Sequence, residues 1–410
     1  MAFLSKIKAS FANLDKYFGL ADSALLSLFR FACGIALARI AGAESFGTYI
    51  LLISVAVIFQ TLATSLYLTP LLNLGNGNNK ENYQTLQNWA RRHIIKAACV
   101  FVGLGSITLF WIPAEKLSAL TGFVFLFATA ALLLQSFYRV RLQLEFKQVH
   151  ALRADGLSVA IHIVSSLTLW QLGIDPQNAF WLGALLSAIA GSYLMLRSAK
   201  VTETIQDSTI EQVAASNGHA LLVGSLANSA CSRTLPFIIG IMSSLQSVAI
   251  FGVAWTLIGP IRMLSMALSN LLRPRLSLAK GAHDSAAFKR TYQRALGIVL
   301  FSGVIATVAV TLLGSILVEQ LFGPELAAAG SLLPIAMMYA TIDAFTTCQM
   351  VARQIDDSNG ATHTARFRIY AAILSLTLLV PMTHYFGLPG SIGSLIIAEI
   401  FYGVFVNVKK

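Results

Sequence analysis

The chain has 410 residues, of which 56% are hydrophobic and only 11% charged. Its mean hydropathy is +0.71. This balance excludes a large soluble α protein, because many runs exceed the roughly 20 apolar residues that a bilayer crossing requires. The net charge of +11 would suggest a nucleic-acid surface if the basic residues were clustered. Most instead lie between apolar segments, where they set membrane orientation.

Residues 1–19 place Phe3, Leu4, Ile7, Phe11, Leu14 and Phe18 on one helical stripe, with Lys6, Lys8 and Lys16 largely elsewhere. The continuous apolar core of a cleavable signal peptide is missing. The segment reads as an amphipathic helix on the cytoplasmic membrane surface. Twelve apolar segments follow, at about 20–42, 47–74, 93–112, 117–137, 153–172, 178–196, 218–241, 247–271, 294–316, 326–350, 367–386 and 388–407.

The first two are joined by a distinctive turn. A helix with Arg30 at its middle ends in Leu37-Ala38-Arg39-Ile40-Ala41-Gly42, turns on Ala43-Glu44-Ser45-Phe46-Gly47, and re-enters an apolar run. This pattern resembles the first hairpin of the Wzx-type O-antigen and polysaccharide repeat-unit flippases. Their wider group also holds lipid II flippases and multidrug/cation antiporters. Arg39, Gly42, Glu44 and Gly47 carry the motif. The resemblance implies two bundles of six helices that rock around a central cavity. It also implies a substrate, a short oligosaccharide on undecaprenyl pyrophosphate, moved from the inner to the outer leaflet. A weaker echo lies around 246–276, and a Gly323-Pro324-Glu325 turn precedes the tenth segment.

With the N-terminus in the cytoplasm, the cytoplasmic segments hold 24 of the 29 basic residues, and the opposite side keeps only Lys116. That asymmetry predicts an N-in/C-in topology with an even number of spans. The predicted fold is therefore an all-α integral membrane protein with about twelve transmembrane helices, and the resemblance implies the bacterial inner membrane. Outer loops are short, and residues 197–217 have the composition of a cytoplasmic linker. Shifting the first half by about 203 residues lays Arg30 beside Arg233, which suggests a pseudo-two-fold repeat of parallel halves. The expected organisation is an interfacial helix at 1–19, bundles at 20–196 and 218–408, and the linker between them.

Four basic residues fall inside spans: Arg30, Arg39, Arg233 and Arg262. Each costs about 2.5–3.5 kcal/mol near the bilayer centre. Arg262 follows Gly259-Pro260, a pair that should kink its helix. Arg39 lies nine residues from Arg30, on the opposite helical face, and near enough to the boundary to snorkel or pair with Glu44. It reads as structural. Arg30, Arg233 and Arg262 are the candidates for gripping a pyrophosphate, since guanidinium binds phosphate bidentately.

Two carboxylates, Asp343 and Glu399, read as lying well inside spans. They are candidates for H+ or Na+ coupling, or for ion-pairing with an arginine of the opposite half. His162, in the fifth segment, is a candidate cavity contact or a packing histidine. Trp111, Trp170, Trp181 and Tyr385 read as interface anchors. Cys33, Cys99, Cys231 and Cys348 lie in apolar runs with neither metal-like nor disulfide-like spacing, and read as small core residues.

No phosphate loop, zinc-type histidine pair or serine elbow is present, so the chain reads as no enzyme, with no cofactor and no metal. A membrane polymerase or glycosyltransferase would need a large outer loop. A cation-coupled multidrug exporter of the same superfamily remains the nearer alternative, although the excess of cavity charge has the wrong sign for cationic drugs. Expected partners are the lipid-linked oligosaccharide, membrane lipids, and a polysaccharide polymerase with its chain-length machinery. Nucleic acid is not among them.

Overall fold

The computed structural model describes residues 2–74, 80–109, 117–145, 147–198, 208–357 and 360–406. Trp111, Lys116 and residues 199–207 of the predicted linker lie outside them. The described residues form helices joined by short turns, with no strand among them. In chain order these are α1 (Ala2–Ala63), α2 (Thr69–Leu74), α3 (Lys80–Leu109), α4 (Ala119–Leu144), α5 (Gln148–Gln171) and α6 (Pro176–Ser198). The second half holds α7 (Ser208–Met242), α8 (Leu245–Leu257), α9 (Gly259–Gly281), α10 (Ser285–Phe322), α11 (Ala329–Asp356) and α12 (Gly360–Val406).

All twelve predicted apolar segments fall on helices. Two helices carry a pair of segments each, divided by a glycine whose backbone leaves the helical region. Gly42 has φ 80° in α1, and Gly387 has φ 61° in α12. A side chain at such φ values would be strained, so glycine is what allows the chain to turn there. A single π-helical turn, Thr64–Leu68, joins α1 to α2. Pro70 follows it, and the wider turn accommodates a residue that donates no backbone hydrogen bond. Six helical stretches are long and apolar enough to cross a bilayer, or seven with α8 and α9 counted as one bent span. The bend between those two is 44° and falls at the predicted Gly259-Pro260 kink.

The chain divides into two compact units, residues 1–41 with 56–222, and residues 42–55 with 223–410. In unit 1, α4 packs on α3 and α6, and α6 on α5. Leu71, Leu86, Trp89, Ile94, Leu133 and Phe137 form a buried cluster from α2, α3 and α4. In unit 2, α11 is the hub, packed by α8, α9, α10 and α12. The return segment after Gly42 belongs to this unit, where Gly47 meets the backbone of Leu245. A Cβ at Gly47 would stand 2.1 Å from the Leu245 carbonyl oxygen. Gly47→Ala is therefore expected to destabilise the protein by about 1–3 kcal/mol. Gly103→Ala, where no heavy atom would lie within 4 Å, should be neutral or slightly stabilising, because alanine is the better helix former. Thermal unfolding of the two purified variants compares them directly.

Candidate functional site

The most highly charged interior site in unit 2 forms because α12 reverses at Gly387. Arg368 and Glu399 stand 31 residues apart on this helix, which would separate them by about 46 Å if it were straight. Instead, Arg368 Nη1 donates to Glu399 Oε1 at 2.6 Å, and Arg368 Nη2 lies 3.6 Å from Asp343 Oδ1 on α11. Thr346 Oγ1 donates to the other Glu399 oxygen at 2.8 Å. The guanidinium also lies 4.7 Å from the centre of the Tyr402 ring. Two carboxylates thus share one guanidinium, leaving a formal surplus of one negative charge. Among the described residues Asp343 and Glu399 are ion-paired with an arginine of their own half.

Arg262, one turn into α9, is held differently. Its guanidinium carbon lies 3.9 Å from the centre of the Trp255 ring and 5.8 Å from that of Tyr339. These two rings are themselves stacked, 5.5 Å apart with planes 18° from parallel. The bend between α8 and α9 brings Trp255 and Arg262 together. Among the described residues Arg262 makes no ion pair. Stacking occupies the face of a guanidinium and leaves its N–H edge for hydrogen bonding. Tyr339, one turn before Asp343 on α11, lies within electrostatic reach of Arg262, Asp343, Glu399 and Arg368, so the aromatic clamp and the carboxylate cluster adjoin.

Unit 1 contains a second charged cluster, which sequence reading missed. Arg139 on α4 makes two 2.7 Å hydrogen bonds to the two oxygens of Asp155 on α5. Its Nε lies 3.8 Å from Asp22 Oδ2 on α1. Gln135 Nε2 adds a 2.9 Å bond to Asp155, whose side chain is wholly buried. Here too, two carboxylates share one arginine. Asp22 and Asp155 lie just inside the first and fifth apolar segments, and add two buried carboxylates at the segment edges to Asp343 and Glu399, which lie deeper in theirs. The count of 24 cytoplasmic basic residues includes Arg139 and Arg368, yet their side chains are only 20% and 14% exposed.

Of the other predicted residues, Arg30 and Arg39 are exposed on the unit 1 part of α1, Glu44 is exposed, and Arg233 is half-buried on α7 within unit 2. His162 is buried, its ring 5.0 Å from Phe29 and 4.8 Å from Phe180. Trp181 is no interface anchor. It is 2% exposed and packs edge-on against Phe125 in the bundle core. Trp170 and Tyr385 are exposed. Cys348 is buried and Cys33 half-buried, while Cys99 is exposed, against the core reading. The side chain of Cys231 lies outside the described residues. Among the described residues no group of three or more His, Cys, Asp or Glu is arranged to hold a metal ion.

No protein-family model and no curated protein sequence matches the chain. Solved structures do. An inward-facing multidrug resistance MATE transporter of the MOP superfamily aligns over 92% of this chain and 92% of its own, with a TM-score of 0.77 and 16% identity. The chain has the MATE fold. The lipid II flippase MurJ, in an inward closed conformation, covers 95% of this chain and 86% of its own at TM-score 0.73 and 12% identity. A MOP-superfamily transporter from Pyrococcus furiosus, described as having a binding pocket of reverse polarity, covers 97% and 93% at TM-score 0.65 and 16% identity. These neighbours span drug exporters and a lipid flippase on one fold, so substrate class has to be argued from the residues of the site.

Proposed function

We propose that the chain is a flippase that moves undecaprenyl-pyrophosphate-linked oligosaccharide units, of O-antigen or a similar surface polysaccharide, across the bacterial inner membrane by alternating access. The observation that carries this reading is Arg262. Among the described residues it stacks on two aromatic rings and makes no ion pair, in contrast to Arg139 and Arg368, which are paired with carboxylates. A guanidinium stacked on aromatic rings, and in no ion pair among the described residues, keeps its N–H edge for the bidentate grip that a pyrophosphate requires. Arg30 and Arg233 join it in that role. The first-hairpin resemblance and the lipid II flippase among the fold neighbours support the lipid-linked substrate. The orientation follows the basic-residue count, with both termini cytoplasmic, and a polymerase with its chain-length machinery consumes the product.

Two further roles belong to this reading. The surplus negative charge of the Asp343–Arg368–Glu399 cluster suits one coupling cation, H+ or Na+, which would drive transport without a nucleotide site. The same surplus favours a second reading, a cation-coupled drug exporter, in keeping with the multidrug resistance MATE transporter among the fold neighbours. One experiment separates them: lipid-linked oligosaccharide is quantified by leaflet in cells lacking the protein. Accumulation on the cytoplasmic side with loss of surface polysaccharide is the expected result. A normal lipid-linked pool together with greater sensitivity to cationic compounds would overturn the flippase reading in favour of the exporter.

A further inference from the structure

A pocket of about 290 Å³ lies between α1, α5 and α6 of unit 1, open on the side where Ile40, Leu167 and Trp170 are exposed. Phe29, Ile40, Leu167, Trp170 and Phe180 make its walls apolar, and among the described residues no Asp, Glu, Lys or Arg lines it. Its size is at the lower edge of small-molecule pockets. Two polar atoms interrupt the hydrocarbon, one helical turn apart on α5: His162 Nε2 and Ser166 Oγ. Both are buried and neither has a hydrogen-bond partner, although His162 is only 7% exposed. Their neighbour shows the contrast, since Ser165 Oγ donates to the Ile161 carbonyl at 2.6 Å. Ser166 is denied much freedom by the close approach of α6, where a Cβ at Gly183 would come within 2.1 Å of its hydroxyl.

Buried polar atoms without partners cost about 1–3 kcal/mol each. A lone water could meet both, at the minimum of two partners that such a site needs, but the remaining volume is hydrocarbon and would stay dry. We propose that this cavity binds a neutral amphiphile, with its apolar body along Phe29, Leu167 and Trp170 and a single hydroxyl between His162 Nε2 and Ser166 Oγ. The imidazole also meets the Phe180 backbone, and a hydroxyl, which both donates and accepts, satisfies the serine and the remaining ring nitrogen. A phosphate or an ammonium would lose its hydration there and meet no opposite charge. The site therefore differs in chemistry from the arginines above, and it does not rest on the flippase reading. Its occupant is the hydroxylated chain of a membrane lipid or a free medium-chain alcohol.

Cys33 lines the same cavity and is half-buried, which makes it the reporter. A full-length variant with Cys99, Cys231 and Cys348 changed to serine is placed in lipid nanodiscs. Its alkylation by a membrane-permeant maleimide is timed by mass spectrometry, with 1-decanol or decane added. Decanol is expected to slow the reaction several-fold and decane to do so much less. His162→Phe, which keeps a ring against Phe29 and Phe180, should erase the difference between alcohol and alkane. Ser166→Ala serves the same end if the first variant does not fold. Ala36→Phe, which fills the cavity, should abolish protection altogether. Unchanged alkylation with decanol, or equal protection by decane, would overturn the proposal. Hydroxylated lipid co-purifying with the parent and not with Ala36→Phe would assign the occupant to the bilayer, whereas its absence beside decanol protection would assign it to free solutes.

Discussion

Replacing Arg368 with glutamine is expected to destabilise unit 2 by about 3–5 kcal/mol, the range for removing one member of a buried ion pair. The reason is the charge left behind. Glu399 and Asp343, with side chains 10% and 22% exposed, would face each other without the guanidinium that holds both. Glu399→Gln should be milder, because Arg368 keeps Asp343 at 3.6 Å and one charge of each sign remains. Combining the two changes should recover part of the loss, since the most buried carboxylate is then neutral. Thermal unfolding in detergent measures all three variants. Stability of Arg368→Gln within about 1 kcal/mol of the parent would mean that the cluster does not hold the bundle together. The same assay reads the coupling role. A cation bound at ten times its Kd stabilises by about 1.4 kcal/mol, so added Na+ should raise the unfolding temperature of the parent and leave Glu399→Gln unchanged if sodium is the coupling ion.

The pattern of spans was legible because a bilayer imposes it: apolar runs of bilayer length, polar residues between them, and glycine where two runs meet. Gly42, Gly387 and the Gly259-Pro260 kink all marked real breaks for that reason. The ion pairs were hidden for an equally physical reason. Arg139 and Arg368 lie within two residues of the predicted ends of their segments, where a long side chain can snorkel to water or turn inward. Asp155 and Asp22 lie two residues inside the starts of their apolar segments. Only knowing that α4 lies against α5, and that α12 folds back at Gly387, tells which of the two they do. Trp181 failed likewise, since an aromatic near a boundary suits either the interfacial belt or the core, and the neighbouring Phe125 decides for the core. Arg262 was found because its kink and its depth could both be read from consecutive residues. What the sequence did not reveal was the aromatic clamp, because Tyr339 lies 77 positions away and comes alongside only through the packing of α11 against α9.

That clamp makes the second prediction. In cells that depend on this protein, Arg262→Gln is expected to lower delivery of lipid-linked oligosaccharide to the outer leaflet by one to two orders of magnitude. This corresponds to the loss of about 1.5–3 kcal/mol from a charge-assisted hydrogen bond to phosphate. Lysine at this position keeps the charge but loses both the fork and the stacking plane, so Arg262→Lys should fall between the two. Trp255→Leu leaves the arginine in place and removes the ring 3.9 Å from it. A cation–π contact is worth about 0.5–2 kcal/mol, and the expected fall in delivery is correspondingly smaller. Neutralising Arg30, Arg233 and Arg262 together should abolish transport at normal protein levels in the membrane. If the triple variant still transports, the arginines do not bind the pyrophosphate, whatever the leaflet assay says of the substrate. If it loses transport while Arg262→Gln alone does not, Arg30 and Arg233 carry the anion and the aromatic clamp serves α9 and not the substrate.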